Sequence, residues 1–368
     1  MHLKSLYIQQ FKNYTEGEWE FCDGINFLLG DNGTGKTNIL DAIHCLSFCK
    51  SYFNPIDSQL IKTGEDLFML SGHFELNGHD EHITCTVKRG QRKIFRRNKK
   101  EYEKLSEHIG LLPSVMVTPY DTDLIHEGSE VRRRFMDTLI SQYSRPYLER
   151  LILYNKALQQ RNALLTSIRQ GQEKQSSLEP WDMVLSEHGT FIHGERRKFF
   201  TEFLPIFDEA YTTLCGKKED SRIEYVSDLS EQTMEDLLAR SVSKDIILER
   251  TTCGIHKDDM LLSLSDQPFK KYGSQGQQKT LVISLKIAQF RFLQSKLNVK
   301  PLLMLDDIFD KIDDKRVKAL MELITDGNFG QVFITDTSLT RVPEMLGSDS
   351  SAYKLYNTNL DPVVREKA

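Results

Sequence analysis

Apolar and polar positions alternate at the start of the chain. Leu3, Leu6 and Ile8 lead into Phe11 with the two-residue period of a half-buried strand, and Ile25-Asn26-Phe27-Leu28-Leu29 reads as a buried one. Further strands are predicted at 67–75, 82–88, 93–97 and 111–117, the last ending at Thr118-Pro119. From 130 to 167 the spacing turns helical, through Phe135, Leu139, Tyr143, Leu148, Leu151, Leu158 and Leu165. A polar stretch at 169–177 carries no apolar face, and a second helical segment runs from Trp181 through Leu185, Phe191, Phe199 and Leu204 to Leu214. Two long helices joined by a short polar link predict an antiparallel helical arm; an ordinary helical subdomain has the same periodicity. Strand character returns near Leu261. Pro301-Leu302-Leu303-Met304-Leu305 is apolar on both faces, as in a central parallel strand, and Gln331-Val332-Phe333-Ile334-Thr335 resembles it. No internal repeat is visible, and roughly the last 15 residues read as weakly ordered.

The strand-and-helix signature therefore sits at both ends. The expectation is an α/β head built from 1–125 and 251–368, interrupted by a mostly helical insertion at 126–250 that carries the arm. A length of 368 residues accommodates both. The net charge of −5 gives no global basic field, so contact with nucleic acid requires a local patch. The N-terminus lacks the layout of a signal peptide, and no apolar run approaches the ~20 residues that span a bilayer. The expected setting is the cytoplasm, with no membrane partner. Cys22, Cys45, Cys49, Cys85, Cys215 and Cys253 form no C-x-x-C pair, and free thiols are expected. Cys45 and Cys49, four apart on a helix, read as packing residues.

Gly30-Asp31-Asn32-Gly33-Thr34-Gly35-Lys36-Thr37 matches G-x-x-x-x-G-K-[ST], after an apolar strand and before a helix with Ile39, Leu40, Ile43 and Leu46 on one face. Glycines let the backbone wrap phosphate oxygens with its N–H groups inward, and the helix N-terminus adds positive potential. Lys36 is expected on the β- and γ-phosphates of ATP and Thr37 on Mg²⁺. Asp306-Asp307 follows the 301–305 strand. Asp306 is expected in the Mg²⁺ shell and Asp307 beside the attacking water; an acidic turn after a strand is the plain alternative. Ser274-Gln275-Gly276-Gln277-Gln278-Lys279 opens a helix with Leu281, Leu285, Ala288 and Phe292 on one stripe. Ser274 and Gln277 fit a capping box. The segment also fits an ATP-binding-cassette signature, in which serine, glycine and helix dipole face a γ-phosphate held by another copy.

Eight cations lie within 88–100, in a hairpin-like stretch. They suit either phosphate neutralisation or protection of a sheet edge. Arg132-Arg133-Arg134 is a second candidate for DNA, or an ion-pair cluster. His44, His126, His188 and His193 read as surface or core residues.

The motifs at 30–38 (ending in Asn38), Gly254-Ile255-His256-Lys257-Asp258-Asp259, 274–279 and Leu305-Asp306-Asp307-Ile308-Phe309 occur in the order seen in the bacterial RecF family. So do Gly128-Ser129-Glu130-Val131-Arg132-Arg133-Arg134-Phe135-Met136-Asp137 and Glu179-Pro180-Trp181-Asp182, and Phe11-Lys12-Asn13-Tyr14 looks like the RecF opening. The resemblance covers nearly the whole chain. It implies a cytoplasmic replication and repair ATPase that uses ATP and Mg²⁺ and forms an ATP-dependent homodimer. Such proteins bind DNA at single-strand/double-strand gaps, act with RecO and RecR to help load RecA, and hydrolyse ATP slowly with stimulation by DNA. It places Lys12 and Asn13 near the nucleotide, with Ser274, Gln275, Gly276 and Gln277 completing the site from a twin, and makes Asp313 the D-loop aspartate. The family's G-P-H-R-D-D has lost its proline here and carries lysine for arginine, which removes a bidentate fork. Phe333-Ile334-Thr335-Asp336-Thr337 has no switch histidine, so the γ-phosphate sensor is unassigned, and no glutamine fills the Q-loop slot near Thr118-Pro119-Tyr120-Asp121. The alternatives are the ATPase subunit of a transporter and a binding module with negligible turnover. A nuclease lacks a second acidic cluster.

Overall fold

The structure, a computed structural model, describes residues 1–215, 220–308, 314–325, 327–337 and 353–357. The chain begins with β1 (His2–Gln9), β2 (Glu16–Glu20), β3 (Ile25–Leu29), α1 (Lys36–Phe48), β4 (Leu67–Leu76), β5 (His79–Lys88), β6 (Ile94–Arg97), β7 (Lys100–Glu101) and β8 (Ser114–Val117). It continues with α2 (Asp123–His126), α3 (Ser129–Tyr143), α4 (Arg145–Arg169), α5 (Glu179–Cys215), β9 (Ser221–Val226), α6 (Met234–Leu248), β10 (Asp259–Leu264), β11 (Gln267–Pro268) and α7 (Phe269–Tyr272). Last come α8 (Gln275–Leu297), β12 (Leu302–Leu305), α9 (Asp314–Thr325), β13 (Val332–Asp336) and β14 (Tyr353–Asn357). Two compact units result: Met1–Asp121 with Thr213–Gly216 and Lys279–Ala368, and Thr122–Thr212 with Lys217–Gln278. The first boundary lies close to the expected 125/126. The second lies at 278/279 and not 250/251, because β10 pairs along its length with β9, register Asp259↔Val226 to Leu264↔Ser221, which ties the 259–264 segment to the inserted unit.

In the first unit an antiparallel sheet runs in the order β2-β1-β4-β5-β6-β7 and a parallel one in the order β14-β3-β13-β12-β8. Helix α1 packs against β4 and β5 of one and β8 and β13 of the other. Its apolar face was expected on one side only, yet it is buried continuously from Ile39 to Phe48, as a helix between two sheets must be. Cys45 and Cys49 are buried there, and burial pushes the Cys49 thiol up to about 12. Because the second sheet is parallel, the carboxyl ends of β3, β12, β13 and β8 share one edge, where open α/β sheets bind ligands. Strand β14, Tyr353–Asn357, pairs with β3 from Tyr353↔Ile25 to Asn357↔Leu29; the rest of the tail that was expected to be weakly ordered, 358–368, lies outside the described residues.

In the second unit, α3 and α4 form one periodic stretch broken at Ser144, whose hydroxyl caps Tyr147 N with a proline in the first turn. Contacts between α4 and α5 run in opposite order: Tyr147 with Arg196, Arg150 with Glu187, Arg161 with Asp182. The antiparallel pair is therefore present. It does not stand alone, since α6 lines α4 as far as Arg169, which donates to Ile247 O at 2.6 Å and pairs with Glu249. The sequence reading missed α6, capped by Thr233.

Candidate nucleotide site

Strand β3 delivers the chain to Gly30, whose N–H is held by Asp336 O. The loop then opens: Asp31, Asn32 and Gly33 are exposed, and a side chain at Gly33 would meet nothing within 4 Å. Gly35 is different. Its φ of 105° favours glycine, and a Cβ would fall 2.7 Å from both Asn13 Nδ2 and the Tyr14 hydroxyl. Thr34 closes the turn by donating its hydroxyl to Asp31 O at 2.9 Å. Lys36 is buried, and its ammonium donates to Gly30 O (2.7 Å) and Asp31 O (2.9 Å), folded back along the loop it is expected to serve. Asn38 donates to Asn13 Oδ1 at 2.7 Å, so Asn13 does reach the loop. Lys12 is engaged elsewhere: its ammonium lies 2.6 Å from Asp41 and over the Phe53 ring.

Strand β12 ends at Asp306, buried, and Asp307, half-buried with φ 44°. The Thr37 hydroxyl donates to Asp306 Oδ1 at 2.8 Å, across 269 positions of sequence. Thr335, at the end of β13, accepts from Asp307 N (2.8 Å) and donates to Asp306 Oδ1 (2.9 Å). One hydroxyl thus fixes the spacing of both acids. Threonine closing an apolar strand was the available signal for this; the partner strand was not. Thr37 and Asp306 offer hard oxygen donors, the type that suits Mg²⁺. No cluster of three or more His, Cys, Asp or Glu ligands occurs among the described residues.

Burial raises the Asp306 carboxyl to about 6 against the hydroxyls of Thr37 and Thr335, which lower it. A folded-state value above the unfolded one means that the native state holds the proton more tightly between pH 4 and 6. Stability is then lost as pH rises through that window, by roughly 2–3 kcal/mol. Asp306→Asn should therefore raise the melting temperature of the nucleotide-free protein at pH 8, with less effect at pH 5, while removing Mg²⁺-dependent turnover. Thermal scans at the two pH values check this; an equal shift at both would contradict it.

A buried polar chain leads from α1 to α8. Asp41, on α1, accepts from Ser51 Oγ and Tyr52 N, each at 2.7 Å. The Tyr52 hydroxyl donates to Asp121 Oδ1 at 2.6 Å, and Asp121 pairs with Lys286 of α8 at 2.6 Å, both side chains 6% exposed. Asp121 also caps Thr118 N, in the slot where a glutamine was missed. Replacing Asp121 by Ala leaves a buried ammonium unpaired and should cost about 3–5 kcal/mol of stability. A change in denaturant midpoint worth less than 1 kcal/mol would contradict it.

In the second unit Ser274 and Gln277 form the expected capping box: Ser274 N donates to Gln277 Oε1 at 2.9 Å and Gln277 N to Ser274 Oγ at 3.3 Å. Ser274 and Gln275 are exposed and Gly276 half-exposed, while Gln278 is anchored by His126 Nε2 (3.0 Å) and by donating to Gly273 O (3.0 Å). The 254–259 motif builds a core. Gly254 has φ 111°, and a Cβ there would lie 2.6 Å from Met234 Cε and 2.8 Å from the Tyr154 hydroxyl. Burial lowers His256 to about 4, so the ring is neutral; its Nε2 donates to Thr251 O while Nδ1 accepts from Tyr154. Asp258 pairs with the fully buried Arg196 at 2.6 Å.

The arginine run is largely structural. Arg132 grips Asp259 with two bonds (2.6 and 3.0 Å), Arg133 donates to Asp258 O, and Arg134 pairs with Glu130 on the surface. The 88–100 stretch forms the end of β5 and the edge strands β6 and β7. Five of its eight cations have recorded partners: Lys93 with Asp57, Arg97 with Glu81, Arg96 with Glu101 (3.9 Å), Arg92 with Glu103 O and Arg89 with Glu65 O (3.4 Å). Asp313 lies outside the described residues.

A parallel sheet that brings a phosphate loop to paired acids, with a serine-led helix start in the inserted unit, defines a P-loop head of the ATP-binding-cassette type. A family model described as the RecF/RecN/SMC N terminal domain matches residues 2–359. The chain is 47% identical over 357 residues to the DNA replication and repair protein RecF of Parabacteroides distasonis, covering 97% of each. It is 44% identical over 358 residues to that of Flavobacterium johnsoniae, covering 97% of this chain and all of the relative (100%). A solved structure, the recombination mediator protein RecF with ATP in the RecFOR pathway, superposes with a TM-score of 0.85 at 28% identity, covering 92% of each chain. The chain belongs to the RecF family. That membership sets aside the transporter subunit, and no described helix is long and apolar enough to cross a membrane.

Proposed function

We propose that this chain is an ATP-dependent DNA-binding protein of recombinational repair, working in the cytoplasm as a dimer gated by ATP. The observation that carries the reading is the junction of Thr37, Asp306, Asp307 and Thr335 beside an open phosphate loop. Lys36 exchanges the carbonyls of Gly30 and Asp31 for the β- and γ-phosphates. Thr37 and Asp306 hold Mg²⁺, which supplies neutralising charge to the phosphate oxygens. Asp307, fixed through its N–H by Thr335, takes the proton of the attacking water. Ser274 and the N–H groups that follow it meet the γ-phosphate from a second copy. Thr335 stands where the missing switch histidine leaves the sensor open. Relatives named for replication and repair, and a family structure named for the RecFOR pathway, support partnership with RecO and RecR at gapped DNA, helping to load RecA.

Steady-state ATP hydrolysis with and without gapped duplex DNA tests this. A slow rate that rises with DNA and falls roughly 10²–10⁴-fold in Asp307→Asn is expected. A wild-type rate no higher than that of Asp307→Asn, with or without DNA, would favour the module that binds ATP without turnover.

A further inference from the structure

In the two cation-rich stretches visible in the sequence, Arg132 and Arg134 are held in ion pairs and most of the cations at 88–100 have internal contacts. A further cluster, which takes Arg133 from the arginine run and adds distant positions of the inserted unit, makes no ion pair among the described residues. Arg133 on α3 is half-buried and donates to a carbonyl, Asp258 O at 2.7 Å, with no carboxylate partner. The adjacent Lys257 is exposed, and no contact of its ammonium is recorded among the described residues. Arg250, just past the end of α6, is exposed, and among the described residues the recorded contact is that of its backbone N–H with Asp245 O. The segments are tied together: His256 Nε2 donates to Thr251 O, next to Arg250, and Arg133 holds the carbonyl next to Lys257. Partial burial, then the charges of Arg250 and Arg133, hold the Lys257 ammonium below its ordinary range, which places Lys257 near both of the others.

The surrounding carboxylates are engaged by other arginines, Asp137 and Asp258 sharing Arg196 and Asp182 and Asp245 sharing Arg161, so among the described residues they offset the three cations from a distance and not by direct ion pairs. Asp258 is taken by Arg196 (2.6 Å), Asp259 by Arg132 (2.6 Å), Asp245 by Arg161 (2.7 Å) and Glu249 by Arg169 (2.9 Å). The result is a like-charged surface on a rigid base. The base is fixed by Gly254 at a backbone angle that favours glycine and by the buried pairs beneath it. Like charges held near one another without a direct carboxylate partner raise the free energy of the unliganded protein, and a polyanion relieves that cost.

We infer that Arg133, Arg250 and Lys257 form a contact site for the phosphate backbone of duplex DNA. The site rests on the DNA-binding reading above and gives it residues in the inserted unit, in place of the 88–100 edge or Arg134. It reads no bases, since ammonium and guanidinium groups on phosphate oxygens give affinity without sequence preference.

The test is titration of a short duplex, at several salt concentrations and with ATP, ADP or no nucleotide, into three full-length proteins: wild type, Arg250→Gln/Lys257→Gln, and Arg89→Gln/Lys99→Gln at the sheet edge. Both substituted pairs are exposed, and unchanged melting temperature and ATP affinity verify folding. The expected result is a fall of about tenfold or more in DNA affinity for the Arg250/Lys257 variant, with the slope of log K against log salt shallower by about two, and a far smaller effect for the edge variant. Wild-type affinity and slope in the Arg250/Lys257 variant would overturn the site, as would a loss confined to the edge variant. A wild-type chain that binds no duplex in any nucleotide state would instead remove the DNA-binding reading itself, and the site with it.

Discussion

Arg196→Met will destabilise the inserted unit by about 3–5 kcal/mol, an effect matched among the changes described only by Asp121→Ala. Arg196 is fully buried and ties α5 to three other segments: it donates to Tyr147 of α4, pairs with Asp137 of α3 (2.8 Å) and Asp258 (2.6 Å), and donates to Ile255 O (2.7 Å). Tyr225 of β9 donates to the same Asp258 carboxylate. Methionine fills the stem's volume and removes the charge, leaving the buried Asp258 and the partly buried Asp137 without their cation. The two tryptophans separate the readout, since Trp19 lies in the first unit and Trp181 in the second. Urea unfolding of a Trp19→Phe background, followed at Trp181, should show the midpoint collapse. A shift worth less than 1 kcal/mol would mean that water reaches the network.

The largest effect on activity is expected from Lys36→Met: MgATP binding and turnover should fall by roughly 10²-fold or more, the scale lost when a group that stabilises transferring charge is removed. Stability should hardly change. The ammonium's two acceptors are carbonyls of a loop whose Asp31 and Asn32 are exposed, so water replaces it. Nucleotide binding by calorimetry and a thermal scan check the split. Wild-type affinity for MgATP, or a large drop in melting temperature, would contradict the role given to Lys36.

These two residues also mark what the sequence could show. Lys36 stands in a contiguous motif between an apolar strand and a helix, and local order is enough to read it. Strands β3, β12 and β13 were legible for the same reason, as apolar runs buried on both faces. Arg196 and Arg161 were not legible. Each lies on a long helix where a charged residue reads as solvated, and only the assembled packing shows both guanidinium groups buried among carboxylates. Thr335 was visible as a residue but not as the hydroxyl between two acids, because strand pairing is absent from a one-dimensional pattern. The boundary at 278 was hidden likewise, since β9 and β10 pair across more than thirty positions. Helix α6 carries exposed Ile247 and Leu248 beside a charged face, which blurs its period. Arg133, Arg250 and Lys257 share a surface only after folding.

In the proposed mechanism ATP joins two copies, held between Lys36 of one and Ser274 of the other. Sedimentation velocity of Asp307→Asn, which should bind ATP without consuming it, tests this most directly. With MgATP the protein should sediment as a dimer, with ADP or no nucleotide as a monomer, and adding Ser274→Arg should restore the monomer in ATP. A monomer in saturating MgATP would contradict the claim.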